Sequence, residues 1–426
     1  MLGLFMVMPV LAISAKEYPD YSAFLVGLAI GGYGLTQALL QIPMGVLSDK
    51  IGRKPIIIGG LLIFAIGSMV AATADTLVWV VIGRFLQGAG AIAGAIMALA
   101  GDLSREKQRP KVMAVIGISI GFSFYLALLI GPVIAAKFGL SGIFLLTGVL
   151  AFLCVFLVIF VVPNAKNIAP IGDTLPVIQD LKSLVSHSDL ARLNISVLFL
   201  HMLITLLFVQ IPLLLVDLNW PLAKHWQAYL VVLVASVIGL LGLMAAASKY
   251  KNAVMQISVG GLAAVFLCMV FSQNSLLYLI LLISLFFTCF NYLEANFPAM
   301  VSNIAPAGKK GSAMGIYASF QFFGAFIGGV LSGSISELLG IQWVFVLASV
   351  LCCIWLVLIK GLNATNRLKR YTLKISKQTT SLALQQLSEL KGVVDITVVP
   401  DEQVMYLKAE QHFDIQQARL VLNIKE

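Results

Sequence analysis

Glu294 stands in FNYLEANFPAM, Phe290 to Met300, deep inside an apolar run. A carboxylate at membrane depth costs at least about 2.5 kcal/mol, so it is a functional candidate by default. It can take and lose a proton, and Asn291, about one turn earlier, can share its face. The other reading is a structural glutamate hydrogen-bonded to a neighbouring helix. Arg84, with Gln87 three residues on, interrupts a second apolar run. It must face the interior, or else snorkel from its place some seven residues into that run. Tyr33, Gln37, Gln41, His201, Gln210 and Gln321 are single polar residues in apolar surroundings. They are candidates for lining a cavity, and equally for interhelical hydrogen bonds. A third stretch, GVLSDKIGRKP from Gly45 to Pro55, packs Asp49, Lys50, Arg53 and Lys54 between two apolar runs. Arg53 can pair with Asp49, four residues back, or with Asp102 at the end of a later run. The bland reading of the stretch is a basic anchor.

The elements that must position these residues follow from composition. Hydrophobic residues make up 60% and charged residues 11% of the 426-residue chain. Soluble domains carry roughly a quarter charged residues. Spans of about 20 apolar residues tile the first 360 positions, which predicts an all-α polytopic membrane protein. Twelve spans are expected, over residues 1–15, 22–48, 55–74, 77–100, 109–138, 141–162, 193–216, 225–248, 253–272, 276–301, 311–339 and 342–360. The first is short, about 22 Å as a helix against a core of about 30 Å. It also lacks a basic n-region, so a native start upstream, or a shortened helix one, is expected.

The net charge of +9 does not point to nucleic acid. Lys50, Arg53 and Lys54 share one loop. Arg105, Lys107, Arg109 and Lys111 share another, and Lys249, Lys251, Lys309 and Lys310 follow. The intervening loops hold only Lys16, Lys137 and Lys224. This alternation predicts basic loops on the cytoplasmic side. The five cysteines, Cys154, Cys268, Cys289, Cys352 and Cys353, lie in apolar runs without a C-x-x-C. They read as packing residues; no metal and no cofactor is expected.

Residues 163–192 form the longest break, with Leu175, Ile178, Leu181, Leu184 and Val185 at helical spacing. An amphipathic surface helix is predicted there. It divides the chain into six-helix halves, residues 1–162 and 193–362, the layout of many secondary transporters. Residues 367–426 then alternate as β-α-β-β-α, from YTLKIS to a last helix capped by Asp414, with NIKE as a reduced fourth strand. A small ferredoxin-like α+β domain is predicted. It lacks cysteine, so copper-type binding is not expected.

GVLSDKIGRKP resembles the signature loop of the major facilitator superfamily, with Gly45, Leu47, Asp49, Lys50, Gly52, Arg53 and Lys54 at its defining positions. GRFLQGAGAI, with Arg84, Gln87 and Gly88, resembles the helix-four motif. Gly117, Gly121, Gly131 and Pro132 resemble the helix-five motif of drug:proton antiporters, although Ala135 and Ala136 replace its later glycine. MLGLFMVMPVLA, SDKIGRKP, NYLEANFPAM, SAMGIYASFQFFG and the tail are similar to a bacterial branch that carries a ferredoxin-like domain. The resemblance implies the facilitator fold of about twelve helices. It implies a latch in which Asp49 faces the amino end of helix eleven, supported by Gly45, Gly52, Arg53, Lys54 and Asp102. Arg84 would assist proton transfer by tuning a carboxylate; packing is the alternative. The corresponding loop of the second half, AASKYKNAV, has no acidic residue, so the latch is one-sided.

The expected function is a proton-coupled secondary transporter working by alternating access in a bacterial inner membrane. A drug or small organic compound would be exchanged for protons, as efflux. A uniporter or importer of a small metabolite or sugar is the alternative. Its partners are a small-molecule substrate, protons and the lipid bilayer; a monomer is expected. A polytopic enzyme is not favoured, because no Walker loop, H-E-x-x-H or Ser/His/Asp arrangement is present.

Overall fold

A computed structural model describes residues 2–104, 108–163, 178–271, 275–306, 309–362, 369–374, 381–399, 404–410 and 412–422. The membrane part comprises α1 (Leu2–Met6), α2 (Leu11–Ser14), α3 (Ala23–Ile51), α4 (Arg53–Ala72), α5 (Leu77–Ala89), α6 (Ala93–Leu103) and α7 (Arg109–Phe160). After the short α8 (Ile178–Val185) come α9 (Ser188–Asp217), α10 (His225–Met269), α11 (Leu276–Ile304), α12 (Lys310–Leu338) and α13 (Ile341–Ile359). Among the described residues, nine helical segments are long and apolar enough to cross a membrane. Two of them are double: α7 is two helices joined across a kink at Gly139, and α10 two joined across Tyr250. Gly139 has φ +67°, which glycine adopts without a Cβ penalty.

Two spans differ from expectation. The fourth is not one helix; it breaks between α5 and α6, where Ala91 has φ +36°. The carbonyl of Gly90 there lies against Gly60 of α4, a contact that leaves no room for a Cβ on Gly60. The first span is in pieces, with a turn at residues 7–10 around Pro9 separating α1 from α2. A proline cannot donate to a helical ladder. Of the predicted surface helix, α8 is present and Leu184 is buried. Leu175 lies outside the described residues.

Buried apolar side chains separate along the chain. The largest cluster comes almost entirely from residues 184–362. A second draws mainly on residues 6–144, and a smaller one on residues 56–158. The first set of helices and the second meet through α3 and α12, which run antiparallel: Ala23, Gly27, Gly31 and Gly34 touch Gly333, Gly329, Phe326 and Phe322 in turn.

One end of the bundle carries the basic loops; the other carries Glu17, Asp20, Asp75 and Glu337. We call them the basic and the acidic end. Toward the basic end α7 and α10 each carry an exposed stretch. Gly117, Ile118 and Ser119 are exposed in succession, as are Met244, Ala245 and Ala246. Three successive helical positions span about 200°, so more than one face is uncovered. Toward the acidic end α3 and α12 are in backbone contact. The face between α3 and α12 is closed toward the acidic end.

The tail forms β1 (Lys369–Lys374), α14 (Ser381–Glu389), β2 (Val393–Val399), β3 (Val404–Ala409) and α15 (Ile415–Val421). The sheet order is β1-β3-β2, with β3 antiparallel to both neighbours. Its small core gathers Leu373, Leu387, Met405, Leu407, Phe413 and Ala418. Asp414 caps α15 through the N–H of Gln416, as expected. The NIKE segment and the Pro400–Asp401 turn lie outside the described residues.

Candidate functional site

The polar residues of the membrane part form three groups. The first surrounds Arg84 of α5, which is 1% exposed. Its Nε donates to the Ala29 carbonyl at 2.9 Å and its Nη1 to Gln87 Oε1 at 2.7 Å. The guanidinium lies 5.3 Å from the centre of the Tyr33 ring, a cation–π contact. Gln87 passes the chain on, its Nε2 donating to Ser68 Oγ at 2.8 Å. These partners are all neutral, and they sit on α3, α4 and α5. Arg84 neither snorkels nor meets Glu294. Beside this group Gln37 Nε2 donates to Gln41 Oε1 at 2.7 Å, and both residues are buried.

The second group lies among α9, α11 and α12. Gln321 Nε2 is 2.7 Å from His201 Nε2 and 3.4 Å from Glu294 Oε1. His201 Nε2 is in turn 3.8 Å from Glu294 Oε2. His201 Nδ1 lies 3.3 Å from the Val197 carbonyl. A proton on Nδ1 satisfies that carbonyl and leaves Nε2 to accept from the Gln321 amide. In that tautomer His201 has no N–H to offer Glu294. Glu294 Oε2 accordingly lacks a hydrogen-bond partner among the described residues. One added proton, on the imidazole or on the carboxyl, changes which of these contacts attract. Glu294 is midway along α11, yet its side chain is 34% exposed. Asn291, one turn earlier, donates to the Tyr125 hydroxyl of α7 and so reaches the other set of helices. Phe290 stands edge-on to His201, Phe286 and Phe287 pack on Phe290, and Phe124 packs on Phe287.

The third group is the signature loop. Gly52, with φ +99°, turns the chain between α3 and α4. Arg53 Nε meets Asp102 Oδ2 at 3.0 Å, and Nη1 donates to Ser48 Oγ at 3.1 Å. Both charged side chains are buried, and the pairing of Arg53 with Asp102 forms. Gly45 is buried in α3, and its carbonyl accepts from Ser48. Lys54 occupies the first turn of α4. The Asp49 side chain lies outside the described residues.

Other expected site residues are elsewhere. Gln210 bonds Ser332 Oγ at 2.9 Å, a packing contact between α9 and α12. Gly131 lets α7 approach the carbonyl of Met6, and Pro132 follows it inside the helix. Gly121 faces open space. Tyr125, Ser68 and Ser332 were not singled out from the sequence, because single hydroxyls in helices carry no spacing signal. Among the described residues no three of His, Cys, Asp or Glu gather to hold a metal.

Comparison with known proteins adds to this geometry. The profile of the Major Facilitator Superfamily matches residues 1–293 and 246–394. The "Inner membrane transport protein YajR" of Escherichia coli K12 is 37% identical over 98% of this chain and 94% of its own. The "Multidrug resistance protein MdtL" of Escherichia coli is 29% identical over 45% of this chain and 48% of its own. Among solved structures, a bacterial homologue of the human lysosomal transporter Spinster, in an inward-facing and occupied conformation, superposes with TM-score 0.66. It is 12% identical and covers 84% of this chain and 94% of its own.

Proposed function

The chain belongs to the major facilitator superfamily, and from that premise we propose a proton-coupled transporter that exports a small organic compound by alternating access. As a facilitator it is a multi-pass membrane transporter and not an enzyme. The observation that carries the proton is Glu294, a carboxylate at membrane depth with one oxygen unpartnered among the described residues and His201 3.8 Å away. Fully satisfied buried carboxylates hold helices together; one left under-satisfied is available to a proton. Efflux is supported by the name of MdtL, a multidrug resistance protein, and by the helix-five glycines. Arg84, held by neutral groups, is assigned the packing role rather than a proton-transfer role.

Two six-helix bundles, residues 1–162 and 193–362, would rock about the α3–α12 contact. The separation of the buried clusters supports that division. The basic end is read as cytoplasmic, which the charge alternation supports, and the inner membrane is suggested by the name of YajR. At that end Asp49 would latch α3 to the amino end of α12, with Arg53 and Asp102 bracing the loop. The latch would close the basic end when the acidic end opens. The tail is read as ferredoxin-like, since a third strand between two parallel ones is the order of a split βαβ unit.

The test is substrate-dependent proton movement in proteoliposomes, with the natural protein against Glu294→Gln. Substrate addition should release protons, and the variant should not. Flux without proton movement in the natural protein would instead establish the uniporter or importer reading; the alanines after Pro132 weaken the antiporter implication.

A further inference from the structure

The acidic ends of α3 and α12 share a contact that bridges 313 residues of chain. The carboxylate of Glu337, in the last turn of α12, accepts from the N–H of Phe24 at 2.8 Å. Phe24 lies in the first turn of α3, where backbone N–H groups have no partner within the helix. Ser22 caps the same end from its own side, accepting from Leu25 N–H at 3.1 Å. The amino end of α3 thus has one cap of its own and one lent by the other set of helices. Asp20 performs the same chemistry at the same end of the molecule, accepting from Leu77 and Val78 at the start of α5. That contact stays within the first set of helices.

A second observation shows that the Glu337 contact belongs to a closed face. Just below it the two helices touch through backbone: a Cβ added to Gly27 would stand 2.0 Å from the Gly329 carbonyl, and one added to Gly333 would stand 2.3 Å from that of Ala23. The helices cannot come nearer, and they cannot part here without Glu337 leaving Phe24.

We propose that Glu337 is a positioning residue of the transport cycle, a latch that holds the acidic end shut and is released each time α3 and α12 separate there. The inference rests on the alternating-access reading. It also makes the pair reciprocal. The helices are antiparallel, so each carries an acidic residue near its carboxyl end, level with the amino end of the other. Asp49 holds that position on α3, and Glu337 holds it on α12. A carboxylate at a helix amino end favours the bound state by about two- to fivefold.

The test is the distance across the acidic end, measured between spin labels at Trp79→Cys and Phe271→Cys. The full chain would have its five native cysteines replaced and sit in nanodiscs of phosphatidylethanolamine and phosphatidylglycerol. Glu337→Ala should raise the open-to-closed ratio by about two- to fivefold. Glu337→Gln, which keeps an acceptor oxygen, should shift it less, and it serves if the alanine variant folds poorly. Gly27→Ala should force the open distance. Asp20→Ala should leave the distance distribution unchanged. If both Glu337 variants superimpose on a background protein that populates two distances, the latch is overturned alone. A background protein with one distance at every pH and in every lipid would overturn alternating access and the latch together.

Discussion

Arg84 and Glu294 are both charges within the membrane part, and the protein treats them differently. Arg84 is enclosed: carbonyl, amide and ring surround it, all from the first set of helices. Glu294 is left partly open, with one oxygen unpartnered and an imidazole just beyond hydrogen-bond reach. A charge whose partners are fixed dipoles has one comfortable state. A charge whose partners are an imidazole and an amide has several, distinguished by where a proton sits. The first arrangement suits holding a shape; the proposed proton role draws on the second.

That contrast can be broken by exchanging stability for activity. Arg84→Met should cost the most, about 3 kcal/mol, because it empties a buried hydrogen-bonded site. Thermal unfolding in detergent measures it, and the protein that remains folded should still transport. Glu294→Gln should do the reverse: proton-linked flux in proteoliposomes falls at least about tenfold, the loss expected of a general acid–base group, while the melting temperature holds or rises. If Arg84→Met melts normally and loses transport, the assignments are exchanged.

His201→Gln sharpens the comparison. It keeps a hydrogen-bonding group beside Gln321 but removes the imidazole, so a few-fold fall in flux is expected, smaller than for Glu294→Gln. Equal losses from the two variants would mean that the pair, and not the carboxylate, holds the proton.

The smallest effect belongs to Asp20, a charge outside the membrane part. Burial works to raise its carboxyl, but the N–H groups of Leu77 and Val78 outweigh this and hold it below the usual carboxylate range. Its contribution is therefore present above the unfolded-chain value of about 3.9 and is lost as pH falls through the lower folded value. Asp20→Ala should lower stability by about 1 kcal/mol at pH 7, the size of a helix cap. The melting curves of variant and parent should start to approach only below about pH 4 and converge as pH falls through the lower folded value.

Much of this was legible from residue order. Apolar run lengths located the long helices, and buried Arg53 does reach Asp102, one of the two partners its position allowed. The breaks were harder. Ala91 departs from helix because Gly90 must meet Gly60, a contact between chain positions that no local pattern joins. The kink at Tyr250 has no glycine or proline at the site to announce it. The Glu294 group is assembled from three helices, with His201 and Gln321 lying 120 residues apart, so types could be nominated but not their meeting. Glu337 went unread because an acidic residue near the end of a span looks like an ordinary solvated charge.

The backbone contact between α3 and α12 has an entropic consequence. Gly27, Gly31, Gly34, Gly329 and Gly333 carry no rotamers, so shutting this face freezes none there. An interface rebuilt from long side chains would lose about 0.5–1.5 kcal/mol for each one immobilised, at every closure. Under the proposed alternating access this surface would form and dissolve once per solute, and it is better made of main chain, where the ordering was already complete when the helices folded.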